Sequence, residues 1–143
     1  MHNGSVALRE IYPVRAGDFA TAGEASRKIK GILKKLGVDS GVVRRVSIAA
    51  YEVELNLVIH SQGGEMELIV QPDYVSLNVR DEGPGIPDID LAMQEGYSTA
   101  SEEVRMMGFG AGMGLPNMKR NATDFSIHSE VGVGTTIRMG FKL

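Results

Sequence analysis

There is no cysteine in the 143 residues. A disulfide scaffold and a thiolate metal site are excluded, and a reducing, cytoplasmic compartment fits. No stretch approaches the roughly 18 consecutive apolar residues of a membrane span. The opening MHNGSVALRE has no apolar core of signal-peptide length, so no secretion signal is expected. Long basic runs are absent and the net charge is −3, which argues against non-specific nucleic-acid binding. No Lys-Ser or Lys-Thr pair occurs, so the P-loop pattern is missing. Repeats, low-complexity tracts and linkers are also lacking, and one domain, 1–143, is expected, large enough for its own core.

What is abundant is glycine: 18 of 143 residues, against a usual share of roughly 7%. The excess sits mostly after residue 80. Before that point the periodicities are ordinary. Residues 5–14 read as a strand closed by Pro13, and 18–36 as a helix with Asp18 as N-cap and Gly37 as its stop. Asp39 or Ser40 caps a second helix to about Ser61, its apolar stripe formed by Val42, Val46, Ala49, Val53 and Leu57. EMELIVQ and YVSLNVR, with Pro-Asp between them, predict a hairpin. DIDLAMQEG reads as a short helix, 97–113 as a long loop, and LPNMKRNA as a helix with Pro116 in its first turn. DFSIHSE and TTIRMGFKL close the chain as a second hairpin. The order suggests one sheet with helices on one face, a two-layer α+β sandwich.

Three stretches carry candidate chemistry. In GFGAGMGLPNMKR, Gly108, Gly110, Gly112 and Gly114 alternate ahead of a helix. Backbone can approach an anion closely there, and a helix start offers N–H groups to phosphate. The G-x-G-x-x-G dinucleotide spacing is not met, and a mobile surface loop is the plain alternative. In RDEGPGIPD, Asp81 ends a strand and Gly83 and Gly85 follow. A carboxylate so placed can accept hydrogen bonds from an exocyclic amine such as adenine N6, and an ordinary turn is the alternative. On the second helix Glu52, Asn56 and His60 share one face. Asn offers a neutral oxygen to Mg²⁺, and Glu can take a proton from a hydroxyl or water. A merely solvated helix face is the alternative, Glu54 adds another acid to that helix, and His60 reads as structural.

Taken together, these stretches resemble the GHKL superfamily of gyrase-type ATPases, histidine kinases, MutL repair proteins, heat-shock chaperone ATPases and anti-sigma-factor serine kinases. Glu52 and Asn56 match its E-x-x-x-N box. Asp81, Gly83 and Gly85 match its D-x-G-x-G box, and Gly110, Gly112 and Gly114 its G-x-G-x-G box; Thr135 has a counterpart on a late strand. The similarity spans roughly residues 6–142. The implied fold is a two-layer α/β sandwich with one mixed sheet covered on one face by helices. The lack of extra domains makes the chain similar to the anti-sigma-factor and stress-signalling switch kinases, which phosphorylate serine or threonine on small STAS-domain antagonists.

The resemblance implies roles. Asp81 holds the adenine amino group, Gly83 and Gly85 turn the chain under the base, and Asn56 binds Mg²⁺ on the phosphates of ATP. Gly110, Gly112 and Gly114 bring backbone N–H groups to the phosphates, and Glu52 is the base. Ile86, Leu115 and Thr135 complete the nucleotide-binding set. A sigma factor or other regulator, and a homodimer, are further partners the resemblance allows. ASEEVRMMGF, 100–109, lengthens the segment that is the lid over ATP in this superfamily. Two alternatives stay open: an ATP-dependent anti-sigma binding module with little transfer, and a stand-alone histidine-kinase-like ATPase. Glu52 favours transfer, and the missing phosphoacceptor helix disfavours the histidine-kinase reading.

Overall fold

The computed structural model describes residues 8–83, 85–86, 89–94 and 114–143. Its elements are β1 (Leu8–Val14), α1 (Glu24–Lys35), α2 (Ser40–His60), β2 (Gly64–Gln71), β3 (Tyr74–Glu82), α3 (Ile89–Ala92), α4 (Gly114–Asn121), β4 (Asp124–Glu130) and β5 (Gly134–Lys142). Five strands form one sheet in the order β1-β2-β3-β5-β4.

The two-layer α+β sandwich is as expected, but the sheet is antiparallel at all four pairings rather than mixed. For β1 and β2 the cause is the helix pair between them. Two antiparallel helices return the chain to the end it left, so Val14 at the end of β1 lies opposite Gly64 at the start of β2. A single crossover helix would have made those strands parallel.

One face of the sheet is apolar because each strand alternates. Met66, Leu68 and Val70 of β2, Val75, Leu77 and Val79 of β3, and Ile137, Met139 and Phe141 of β5 point into one core. Helix α2 lies across it, packed against α1 on one side and α4 on the other. The stripe Val42, Val46, Ala49, Val53 and Leu57 is buried throughout, as the spacing predicts. Mostly polar residues, with Ile11 and Ile69 among them, occupy the opposite sheet face, where the Arg9 guanidinium donates to Glu67 at 2.7 Å and holds its carboxyl below the usual range. Among the described residues no helix is long and apolar enough to cross a membrane.

Two boundaries differ from expectation, and a third is decided between the two expected candidates. Pro13 sits inside β1, opposite Glu65, rather than closing it. This is an edge strand, where a missing N–H leaves no ladder bond broken. Helix α1 begins at Glu24, and Asp18 instead closes a local turn with Thr21, whose Oγ1 donates to Asp18 Oδ2 at 2.6 Å. Asp39, not Ser40, caps α2 by accepting from the N–H groups of Gly41 and Val42. Residues 5–7 and the whole 97–113 loop expectation, with the extended 100–109 segment inside it, lie outside the described residues.

Candidate functional site

The site has two walls. The first is a row across three strands. Asp81 on β3 lies opposite Thr135 on β5, which lies opposite Ser129 on β4. Alternation places Asp81 on the same face as Leu77 and Val79, at the rim of the core. The Thr135 backbone N–H donates to Asp81 Oδ1 at 2.8 Å. The Thr135 and Ser129 hydroxyls are 2.9 Å apart, and Ser129 Oγ accepts from the Ile86 N–H at 2.7 Å. Asp81 is half-buried, and burial raises its pKa while the Thr135 N–H lowers it. One hydrogen bond leaves a carboxylate with further acceptor capacity.

The glycines after Asp81 shape this wall. Gly83 is buried, and its N–H reaches the Val133 carbonyl at 3.3 Å. Gly85 has φ +75°, and a Cβ there would press on the backbone of Glu130 and Val131. A side chain would therefore push the segment off the β4–β5 turn and lose the Ile86 contact.

The second wall is α2 against α4. Glu52 and Asn56 are one turn apart on α2 and both half-buried. Gly114, the first residue of α4, lies directly over them. A Cβ on Gly114 would sit 3.2 Å from Asn56 Oδ1 and 3.4 Å from Glu52 Oε2. A side chain there would make the ends of Asn56 and Glu52 give way by a few tenths of an ångström. The buried Leu115 anchors the first turn of α4 in the core. Burial raises the Glu52 pKa, and a hydrogen bond from Asn117 Nδ2 to Oε1, at 3.4 Å, lowers it.

The walls meet at the end of α2. Gln62 N–H donates to the Glu82 carbonyl at 2.8 Å, and Glu82 N–H to the Gly63 carbonyl at 3.0 Å. Asn56 precedes Ser61 by five residues, about 7.5 Å of helix. Asp81 thus lies beside the end of α2 that carries the carboxylate–carboxamide pair. Gly110 and Gly112 fall outside the described residues.

Two participants of the site, and one capping role outside it, were not anticipated. Ser129 and Asn117 act across gaps of 43 and 65 residues, for which a local pattern carries no signal. Glu54 is 2% exposed and accepts from the N–H groups of Gly23, Ala25 and Ser26 at the start of α1. A signal for it existed: Ala50 and Val58, four residues either side, are apolar, so this acid stands on an inward-facing row.

Comparison with known proteins follows the same lines. Residues 41–143 match the family described as histidine kinase-, DNA gyrase B-, and HSP90-like ATPase. The chain is 31% identical over 119 residues to the serine/threonine-protein kinase RsbT of Bacillus subtilis (strain 168), which covers 80% of this chain and 84% of that protein. It is 29% identical over 115 residues to the anti-sigma F factor of Geobacillus stearothermophilus, covering 76% and 75% respectively. The anti-sigma F factor of Thermoanaerobacter sp. (strain X514) is 34% identical over 99 residues, 66% of each chain.

Proposed function

Since this chain belongs to the histidine kinase-, DNA gyrase B- and HSP90-like ATPase family, we propose that it is an ATP-binding serine/threonine protein kinase of the anti-sigma-factor type. Residues 1–143 act as one unit, in the cytoplasm, on a small STAS-domain antagonist protein within a sigma-factor or stress pathway. The observation that carries this reading is the convergence of Glu52 and Asn56 on the backbone of Gly114.

Each residue has a chemical task. Asp81 accepts a hydrogen bond from the adenine amino group, and the Thr135 N–H keeps its carboxylate aimed. The backbone N–H groups of the glycine box, Gly110, Gly112 and Gly114, serve as donors to the phosphates, helped by the positive end of α4. Asn56 Oδ1 is a neutral oxygen suited to Mg²⁺, which supplies charge neutralisation when bound. Glu52 accepts the proton of the serine or threonine hydroxyl. That oxygen bonds to the γ-phosphorus as the bond to the β–γ bridging oxygen breaks, and ADP leaves. Burial makes Glu52 a better base than an exposed glutamate. This favours transfer over mere binding, because a purely nucleotide-dependent clamp has no use for such a base.

The test is incubation with Mg-ATP and each STAS-domain protein of the same genome, with phosphosites mapped by mass spectrometry. One serine or threonine on one such protein is expected to gain a phosphate. Nucleotide at 100 times its Kd should also stabilise the fold by about 2.7 kcal/mol. Absence of any thermal shift with millimolar Mg-ATP and with ADP would contradict the nucleotide site itself.

Removing the adenine acceptor has a defined cost. Asp81→Ala should weaken ATP binding by about 1–3 kcal/mol, roughly 5- to 150-fold in Kd, with loss of preference for adenine over guanine. Binding requires the ionised form, and burial raises this pKa. ATP affinity of the wild type should therefore begin to fall at a higher pH than an exposed aspartate would cause. Calorimetric titrations across acidic pH check both statements, and equal Kd values for wild type and Asp81→Ala would leave Asp81 as a turn residue.

A further inference from the structure

Glu52 does not stand alone on its wall. Asn117 lies one turn into α4 and faces α2, where its Nδ2 donates to Glu52 Oε1 at 3.4 Å. Its other amide atom, Oδ1, accepts from Arg120 Nη1 at 2.9 Å, one further turn along. A guanidinium has only donors, so the amide oxygen must face Arg120. The amide nitrogen is then forced toward Glu52. The direction of this relay is therefore fixed by chemistry.

We propose that Asn117, oriented by Arg120, is a positioning residue that holds one oxygen of Glu52 so that the other faces the phosphate-binding backbone. The inference rests on the reading of Glu52 as the base. It adds a division of labour between the carboxylate oxygens: Oε1 is tethered to α4, while Oε2 is the one beside Gly114. The tether also ties the aim of the base to the helix that follows the glycine box.

The intermediate amide has a reason. A guanidinium bonded directly to Glu52 would favour its charged form strongly and weaken it as a base. A neutral amide holds the carboxylate at much less cost to basicity and keeps the Arg120 charge one residue away. Among the described residues, burial and the Asn117 bond are what displace Glu52 from ordinary glutamate behaviour. The 3.4 Å separation is long for a hydrogen bond, as catalytic contacts without bound substrate often are.

The test uses the full chain and three variants: Asn117→Leu, Asn117→Asp and Arg120→Leu. Asn117→Leu is near-isosteric and should keep its thermal stability and nucleotide affinity. Transfer from Mg-ATP to the STAS-domain acceptor should fall about tenfold, the share of one hydrogen bond to a charged group. Arg120→Leu, which frees the amide to turn, should fall in the same direction by less. The second readout needs no nucleotide or acceptor: ¹³C-carboxyl NMR titration of Glu52, assigned with Glu52→Gln. Loss of the Asn117 donor should move the Glu52 midpoint upward, and Asn117→Asp, which puts a second acid beside it, should move it furthest.

A titration unmoved in Asn117→Leu, or a rate loss matched only by a fall in Tm, overturns the relay. If Glu52→Gln loses transfer while all three variants keep the wild-type rate, the base reading stands and the relay falls. If Glu52→Gln transfers at the wild-type rate, the base reading falls and takes this inference with it.

Discussion

Glu52→Gln is expected to cut phosphoryl transfer by about 10²–10⁴, the range for loss of a general base, while nucleotide affinity stays close to wild type. Glutamine keeps the size and one acceptor for the Asn117 amide but cannot take the proton of the incoming hydroxyl. Asn56→Ala should behave differently, weakening Mg-ATP binding and transfer together, because charge neutralisation acts in both states. Parallel nucleotide titrations and phosphorylation assays separate the two patterns. Full transfer by Glu52→Gln would reduce Glu52 to a solvated helix acid.

The same variant carries a stability signature. Burial raises the Glu52 pKa in the folded state, so the folded protein binds its proton more readily than the unfolded chain does. Stability at this site therefore rises as pH falls from above the folded pKa toward the unfolded one, and is lowest where Glu52 is ionised. Glu52→Gln removes that penalty and should melt higher than wild type at neutral pH. A base kept at some expense of stability is what an active site looks like. The wild-type transfer rate should accordingly decline at a higher pH than an exposed glutamate would give.

The largest effect on the fold itself is expected from Glu54→Ala, about 3–5 kcal/mol of lost stability. Helix α1 has no side-chain cap of its own: its N-cap is Gly23, with φ 97°. Glu54 of α2 does the capping from across the helix interface. Its Oε2 accepts from Gly23 N–H at 3.0 Å and Ala25 N–H at 3.2 Å, and its Oε1 from Ser26 N–H at 3.0 Å. The charge also sits at the positive end of α1. Alanine would leave three buried donors unpaired, each costing about 1–3 kcal/mol, with partial relief from water entering the gap. For a chain of this length the loss corresponds to a Tm lower by roughly 10–20 °C. Glu54→Gln keeps one acceptor and should fall between. Thermal and urea denaturation check this, and a Tm within about 2 °C of wild type for Glu54→Ala would show that α1 is held by its apolar face alone. That face includes Ile29 and Leu33, both fully buried.

Residues close in sequence declared themselves. The four-and-three spacing of Val42, Val46, Ala49, Val53 and Leu57 marks the buried face of α2, because a helix repeats every 3.6 residues whatever surrounds it. Asp39 caps that helix with groups two and three residues away. Glu52 and Asn56 share a face by the same periodicity. Asp81 was legible as the carboxylate at a strand end, because turn-forming glycines mark where the strand stops. The order of elements was legible too, and with it the two-layer class.

Tertiary structure decided what depends on distant partners. The Asp18 signal was genuine as local chemistry, since it closes a turn with Thr21. Helix α1 starts at Glu24 because Glu54, about thirty residues away in sequence, satisfies its first N–H groups. The sheet is antiparallel at every pairing, where a mixed sheet was expected, because no strand sequence encodes the direction of its neighbour. Asp81 acquires its aim from Thr135, 54 residues later, and Glu52 its tether from Asn117, 65 residues later. Periodicity and capping are set by the backbone within a few residues of each position. The orientation and basicity of a carboxylate are set by burial and by whichever donors the packed layers bring to it.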